Sequence, residues 1–177
     1  GLRDLTLIET PPRDRSPILT FVEPWDDGLL EEGMARELDR GGQVFFVHNR
    51  IETIETIAAR GRHLAPRARV RVMRGFVNGE VDVLVSTMIV ESGLDVPNAN
   101  TMVVHDAHRL GLAQLYQLRG RVGRSHRRAY CYLIAPDLMD PVAEERLKVL
   151  EHHTDLGAGY RIAPKDVLCL YVSVGLE

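Results

Sequence analysis

The run Val44-Phe45-Phe46-Val47 carries no polar residue on either side of an extended chain, and it limits what the sequence can fold into more than any other feature. A strand with one wet face alternates apolar and polar positions. An uninterrupted apolar run is stable only when both faces are covered, as in a parallel sheet between two helical layers. Thr101 to Val104 reads as the same buried type, and Ile18 to Val22, Ala68 to Val72, Val81 to Val85 and Ala129 to Ile134 supply further strands. Between them, helical spacing occupies Gly28 to Leu38, Ile51 to Leu64, Gly111 to Arg121 and Val142 to His152. Asp26-Asp27 stand where N-caps belong, and Gly41-Gly42 stop the first helix.

Strands alternating with helices predict an α/β fold with a mostly parallel sheet in three layers, the architecture of a RecA-like, P-loop NTPase-type lobe, followed by a C-terminal helical segment. Residues 1–16, stiffened by Pro11-Pro12, read as a linker arriving from something upstream, residues 17–140 as the lobe, and 141–177 as a helical extension. The scheme breaks once. Too few residues separate the strand ending near Val72 from the one starting near Val81 for a parallel crossover, which takes a dozen or more. Either Asn78-Gly79 turns a hairpin there or a segment is missing, and the poor alternation around Phe76 and Val77 favours the missing segment.

With 177 residues, 45% of them hydrophobic, the chain can bury one good core. It has no apolar run of membrane-spanning length and no signal-peptide layout, so a cytoplasmic protein is expected. Cys131 and Cys169 sit in apolar contexts without metal-site spacing and read as buried thiols. His152-His153 and the pair His105 and His108 lack a third ligand at suitable spacing, so no metal is expected. The net charge of -3 hides an uneven distribution, because all but Lys148 and Lys165 of the 22 basic residues are arginine. Arg119, Arg121, Arg124, Arg127 and Arg128 crowd one stretch, and guanidinium is the planar group suited to phosphate. If Gln114 to Arg124 is helical, Gln117, Arg121 and Arg124 share one face, with Gly120 and Gly123 leaving room for a close approach. Such donors suit phosphoryl transfer, where arginines offset charge on a γ-phosphate and glutamine orients water. An RNA- or phosphate-binding face, or a solvated charged surface, would use the same residues.

The string Gln117-Leu118-Arg119-Gly120-Arg121-Val122-Gly123-Arg124 matches the QxxGRxGR pattern of superfamily 2 helicase motif VI. Gly111 to Gln117 before it, Ser86 to Asn100 as motif V and Gln43 to Arg50 as motif IV resemble superfamily 2 DNA translocases of the transcription-repair coupling and RecG branch. Gly1 to Asp4 with Ile8 to Pro12 is similar to the connection between the two motor lobes of that family. The resemblance implies Arg121 and Arg124 as arginine fingers, Gln117 as a γ-phosphate contact, and Gly93 and Asp95 lining the nucleotide cleft. It also implies Thr87 on DNA phosphates, with Asn49 and Arg50 as further backbone contacts. Glu91 and Asp95 would serve equally as capping or turn residues near Pro97, and Asn49-Arg50 as an N-cap with a surface charge. The implied cofactor is ATP with Mg²⁺, and the implied partners are double-stranded DNA, an upstream RecA-like lobe, RNA polymerase and the excision-repair protein UvrA.

Two departures stand out. A turn and long helix that the family carries before its Phe-Val-Asn-Gly-Glu-like stretch are absent after Val72, and the family's Glu-x-Arg-Gly-Ala-Gly string does not follow Asp166. The sequence also holds no GxxxxGK[ST] and no DExH-like box, so the chain alone is expected to be inert toward ATP. The implied function is the C-terminal motor lobe of an ATP-dependent double-stranded DNA translocase in transcription-coupled repair. A RecG-like fork helicase lobe and a non-enzymatic nucleic-acid-binding module are the alternatives.

Overall fold

The computed structural model describes residues 17–72, 81–87 and 98–152. They form β1 (Ile18–Glu23), α1 (Asp27–Asp39), β2 (Gln43–His48), α2 (Ile54–Leu64), β3 (Val70–Val72), β4 (Val83–Ser86), β5 (Ala99–His105), α3 (Leu112–Arg119), β6 (Ala129–Ile134) and α4 (Pro141–His152). The strands build one sheet in the order β1-β6-β5-β2-β4-β3, and every neighbouring pair is parallel. This is the RecA-like three-layer lobe that the apolar runs demanded.

The pleat of β2 shows why its run is unbroken. Phe45 and Val47 point into a core with Met102, Val104, Leu115, Leu118, Leu147 and Leu150, under α3 and α4. Val44 and Phe46 point the other way, into a second core with Leu30, Met34, Ile57, Val83, Val85 and Val103, under α1 and α2. All four side chains are at most 1% exposed. At roughly 25 cal/mol per Å² of apolar surface, two dry faces stabilise a short strand that one face could not hold.

The helix boundaries follow local chemistry. Asp26 caps α1 by accepting the Leu29 N–H at 2.8 Å, and Gly41 at φ +73° ends it. Residues 51–53 form a 3₁₀ turn before α2, because Arg50 is still extended. At the amino ends of β3 and β4, the Asp82 carboxylate accepts from the Arg69 backbone N–H and from its guanidinium at 2.8 to 3.1 Å. That clamp consumes the residues just before each strand, so both start later than the apolar pattern suggested. The parallel pairing Val70↔Val83 through Val72↔Val85 excludes the hairpin alternative. The connection between β3 and β4 lies outside the described residues except at its end, as does the sequence around Asp166.

One expected element is shorter. α3 stops at Arg119 instead of running to Arg124, and Gly123 takes the left-handed conformation at φ +71°. Gln117, Arg121 and Arg124 therefore do not lie on one helical face.

A buried carboxylate fastens α1 to the sheet. Glu37 is 0% exposed, pairs with Arg40, and accepts from Thr101 Oγ1 at 2.6 Å and Asn100 Nδ2 at 3.4 Å. A Cβ on Gly42 would fall 1.7 Å from Glu37 Oε1, so the glycine keeps this carboxylate in place. Thr101→Val, which keeps the shape and removes the donor, is expected to cost about 1–3 kcal/mol, read as a lower urea midpoint at unchanged m-value. An unchanged midpoint would show that Thr101 does not anchor the carboxylate.

Candidate functional site

Because all six strands run the same way, the candidate residues sort onto two opposite rims of the sheet. At the carboxyl rim, β2 runs out into Asn49 and Arg50, β4 into Thr87, and β5 into Asp106. Val47↔Ser86 and His48↔His105 are in register, so these three exits lie side by side. Asn49 and Arg50 are exposed and Thr87 is half-buried. Open parallel sheets bind ligands at this rim.

Beneath the rim lies a pair the sequence did not disclose. His105 pairs with His48 and not with His108, with Nδ1 to Nδ1 at 2.9 Å, while His48 Nε2 meets Thr53 Oγ1 at 2.7 Å. Trp25 meets the His105 ring edge-on at 5.2 Å, and the Arg60 guanidinium lies 4.2 Å over Trp25. Burial pushes both imidazoles below their ordinary pKa. His105 and Arg50 push His48 the same way, and Arg60 and Arg50 do so for His105, while Asp106 opposes the shift in each. Among the described residues no three His, Cys, Asp or Glu side chains are grouped to hold a metal ion.

The arginine loop lies at the amino rim. Leu112, Leu115 and Leu118 bury one face of α3 and leave Gln117 exposed. The chain then tightens through Arg121 N–H to Leu118 O at 2.9 Å, and Val122 is fully buried. A Cβ on Gly123 would stand 3.1 Å from Ala129 Cβ and 3.3 Å from Ile18 Cγ1, the first residues of β6 and β1. What approaches this glycine is therefore the protein's own core. Beyond it, Ser125 Oγ donates to Asn100 Oδ1 at 2.8 Å and Arg127 Nη1 to Arg40 O at 2.5 Å. Arg121 and Arg124 are half-buried on a loop pinned at both ends, and neither side chain is free.

Arg119 leaves the arginine cluster altogether. It is 1% exposed, donates to Leu150 O at 2.9 Å and lies 5.0 Å from the Tyr116 ring centre. It thus satisfies a carbonyl in the last turn of α4, where helices leave acceptors open and favour positive charge. Cys131, also fully buried, has its thiol pushed up to about 12 by burial, as an inert core residue should. Gly93, Asp95, Glu91 and Cys169 lie outside the described residues.

The Helicase conserved C-terminal domain family matches residues 26–126, from the cap of α1 through the arginine loop. The chain belongs to that helicase family. It is also similar to the transcription-repair-coupling factor of Bacillus subtilis, with 47% identity over 182 residues, and to that of Myxococcus xanthus, with 46%. Each match covers 94% of this chain but only 16% and 15% of those proteins, so the chain spans about a sixth of their length. Because 182 positions exceed 94% of 177 residues, the relatives carry residues inside the matched span that this chain lacks. Among solved structures, RecG bound to a three-way DNA junction superposes with a TM-score of 0.75 at 36% identity, covering 88% of this chain and 22% of that one. The DNA-bound helicase MrfA, at 17% identity and a TM-score of 0.56, shares the fold.

In this helicase lobe the residues before and after the arginines are placed by packing, and those at the carboxyl rim by strand register. No helix among the described residues is long and apolar enough to cross a membrane.

The histidine pair gives the lobe a pH dependence with a definite sign. An Nδ1-to-Nδ1 hydrogen bond needs one neutral acceptor, so a doubly charged pair cannot keep it. Since both folded-state pKa values lie below the ordinary 6.5, the unfolded chain binds more protons just below that value. Stability from the pair is therefore full above about pH 6.5 and lost as the pH falls through the folded values. Urea midpoints should drop between about pH 7.5 and 5.5, and drop less in His105→Gln. Equal slopes in the two proteins would remove the pair as the cause.

Proposed function

We propose that this chain is the C-terminal motor lobe of an ATP-dependent double-stranded DNA translocase acting in transcription-coupled DNA repair. The observation that carries the reading is the arginine loop, presented on a fixed backbone at the rim where the chain enters β1. Identities of 46–47% to transcription-repair-coupling factors over nearly the whole chain favour that branch over RecG, at 36%.

In this reading Arg121 and Arg124 are the arginine fingers and Gln117 the γ-phosphate contact of an ATP site shared with an upstream RecA-like lobe. Gly93 and Asp95 complete the near wall of that cleft. ATP with Mg²⁺ would supply the phosphoryl group, with its charge spread over the metal and the surrounding donors. The described residues fit half of such a site. They offer guanidinium and amide donors, and the chain has no glycine-lysine loop to cradle phosphates, so the lobe alone is inactive. Thr87, Asn49 and Arg50 contact the DNA backbone at the carboxyl rim, where such contacts position without reading sequence. The partners in this cytoplasmic setting are RNA polymerase and UvrA.

Joined to its upstream lobe, Arg121→Ala or Arg124→Ala should lower ATP turnover by about 10³-fold or more while duplex affinity changes little. Thr87→Ala should weaken DNA-stimulated turnover more than basal turnover. Equal loss of turnover and affinity in the arginine variants would make them backbone contacts, and full turnover in both would remove the finger assignment.

A further inference from the structure

At the carboxyl rim, two arginines converge on one carboxylate oxygen. Arg50 Nε stands 3.9 Å and Arg109 Nε 3.7 Å from Asp106 Oδ2, while His105 Nε2 stands 3.9 Å from the other oxygen, Oδ1. Both arginine contacts are longer than a hydrogen bond. Their side chains are 45% and 56% exposed, so these are loose ion pairs worth little to stability.

The residue that gathers them is held unusually. Asp106 has φ 56° and ψ 38°, and it is the single non-glycine residue with positive φ among the described residues. Residues kept in the left-handed region cluster at functional positions, because the surrounding fold must over-determine them. Here the surroundings are the end of β5 before Asp106 and the 3₁₀ turn of residues 107–109 after it, which returns the Arg109 N–H to Asp106 O at 3.0 Å. That turn aims Arg109 back toward the exit of β2, which carries Arg50. A carboxylate between two solvent-facing guanidinium groups has the charge and place of a phosphate group, for which guanidinium is the better-matched partner.

We propose that Arg50 and Arg109 form a clamp for one phosphate of a DNA strand, and that Asp106 occupies the clamp until that phosphate displaces it. The inference rests on the reading of the carboxyl rim as the DNA-binding side and adds Arg109 as a contact and Asp106 as its gate. The ligand is a backbone phosphodiester, so binding through the clamp is independent of base sequence and falls with salt.

The test is duplex binding by the 177-residue chain, followed by anisotropy of a labelled DNA duplex across a salt series. Asp106→Asn keeps a residue that tolerates the left-handed region and removes the charge. It should tighten binding about two- to fivefold at low salt, the worth of an exposed ion pair. Asp106→Gly, equally at ease at positive φ, must shift affinity in the same direction. Asp39→Asn, the same charge change in the exposed last residue of α1, should have a smaller effect. Arg109→Gln should weaken binding and reduce the slope of log affinity against log salt by about 0.9, one phosphate contact. The clamp falls if the Asp106 variants bind no better than Asp39→Asn, or if Arg109→Gln leaves the slope unchanged while Arg50→Gln lowers it. Absence of duplex binding by the unaltered chain would instead remove the DNA-binding reading of the rim, and the clamp with it.

Discussion

Everything in this lobe depends on the sheet being dry on both faces. Val44 and Phe46 serve one core and Phe45 and Val47 the other, so the middle of β2 has no room for a polar group. Polar chemistry is driven to the strand ends, and parallel pairing then gives the two rims different characters. The carboxyl rim receives the exits of β2, β4 and β5, and with them Asn49, Arg50, Thr87 and Asp106. The amino rim receives the loop from α3 into β6, and with it Arg121 and Arg124. The separation of Asn49, Arg50 and Thr87 from Arg121 and Arg124 is a consequence of topology.

How much could be read in advance follows the range of the interaction. Strand and helix identity were legible because burial on two faces writes itself into consecutive residues, and the Asp26 cap and Gly41 stop are local. The end of α3 was not legible. Leucine spacing carries the helix forward to Arg119, but the left-handed turn at Gly123 is imposed by Ile18 and Ala129, the first of them more than a hundred positions away. Arg119 misled for a related reason. In the sequence it is one guanidinium among five, and only the packing of α4 shows that it is the one drawn inside.

The histidine pair marks the same boundary more sharply. His48 and His105 end strands that are neighbours in the sheet, and nothing short of knowing strand order and register could have joined them. Closeness in sequence sets His105 beside His108 instead. The Glu37 network behaves likewise: a glutamate in the last turn of α1 looks like a solvated helix charge until Thr101 and Asn100 are brought beneath it.

Gly123 has one further consequence, and it concerns motion. Its backbone sign and its contact with the first residues of β1 and β6 leave the arginine loop without an independent hinge, and Ser125 and Arg127 fasten its far side to α1 and β5. The backbone that carries these arginines is tied to the core of the lobe at Gly123, Ser125 and Arg127. Facing the upstream lobe proposed above, a backbone held in this way would travel with its own lobe, and its separation from that lobe would report domain closure.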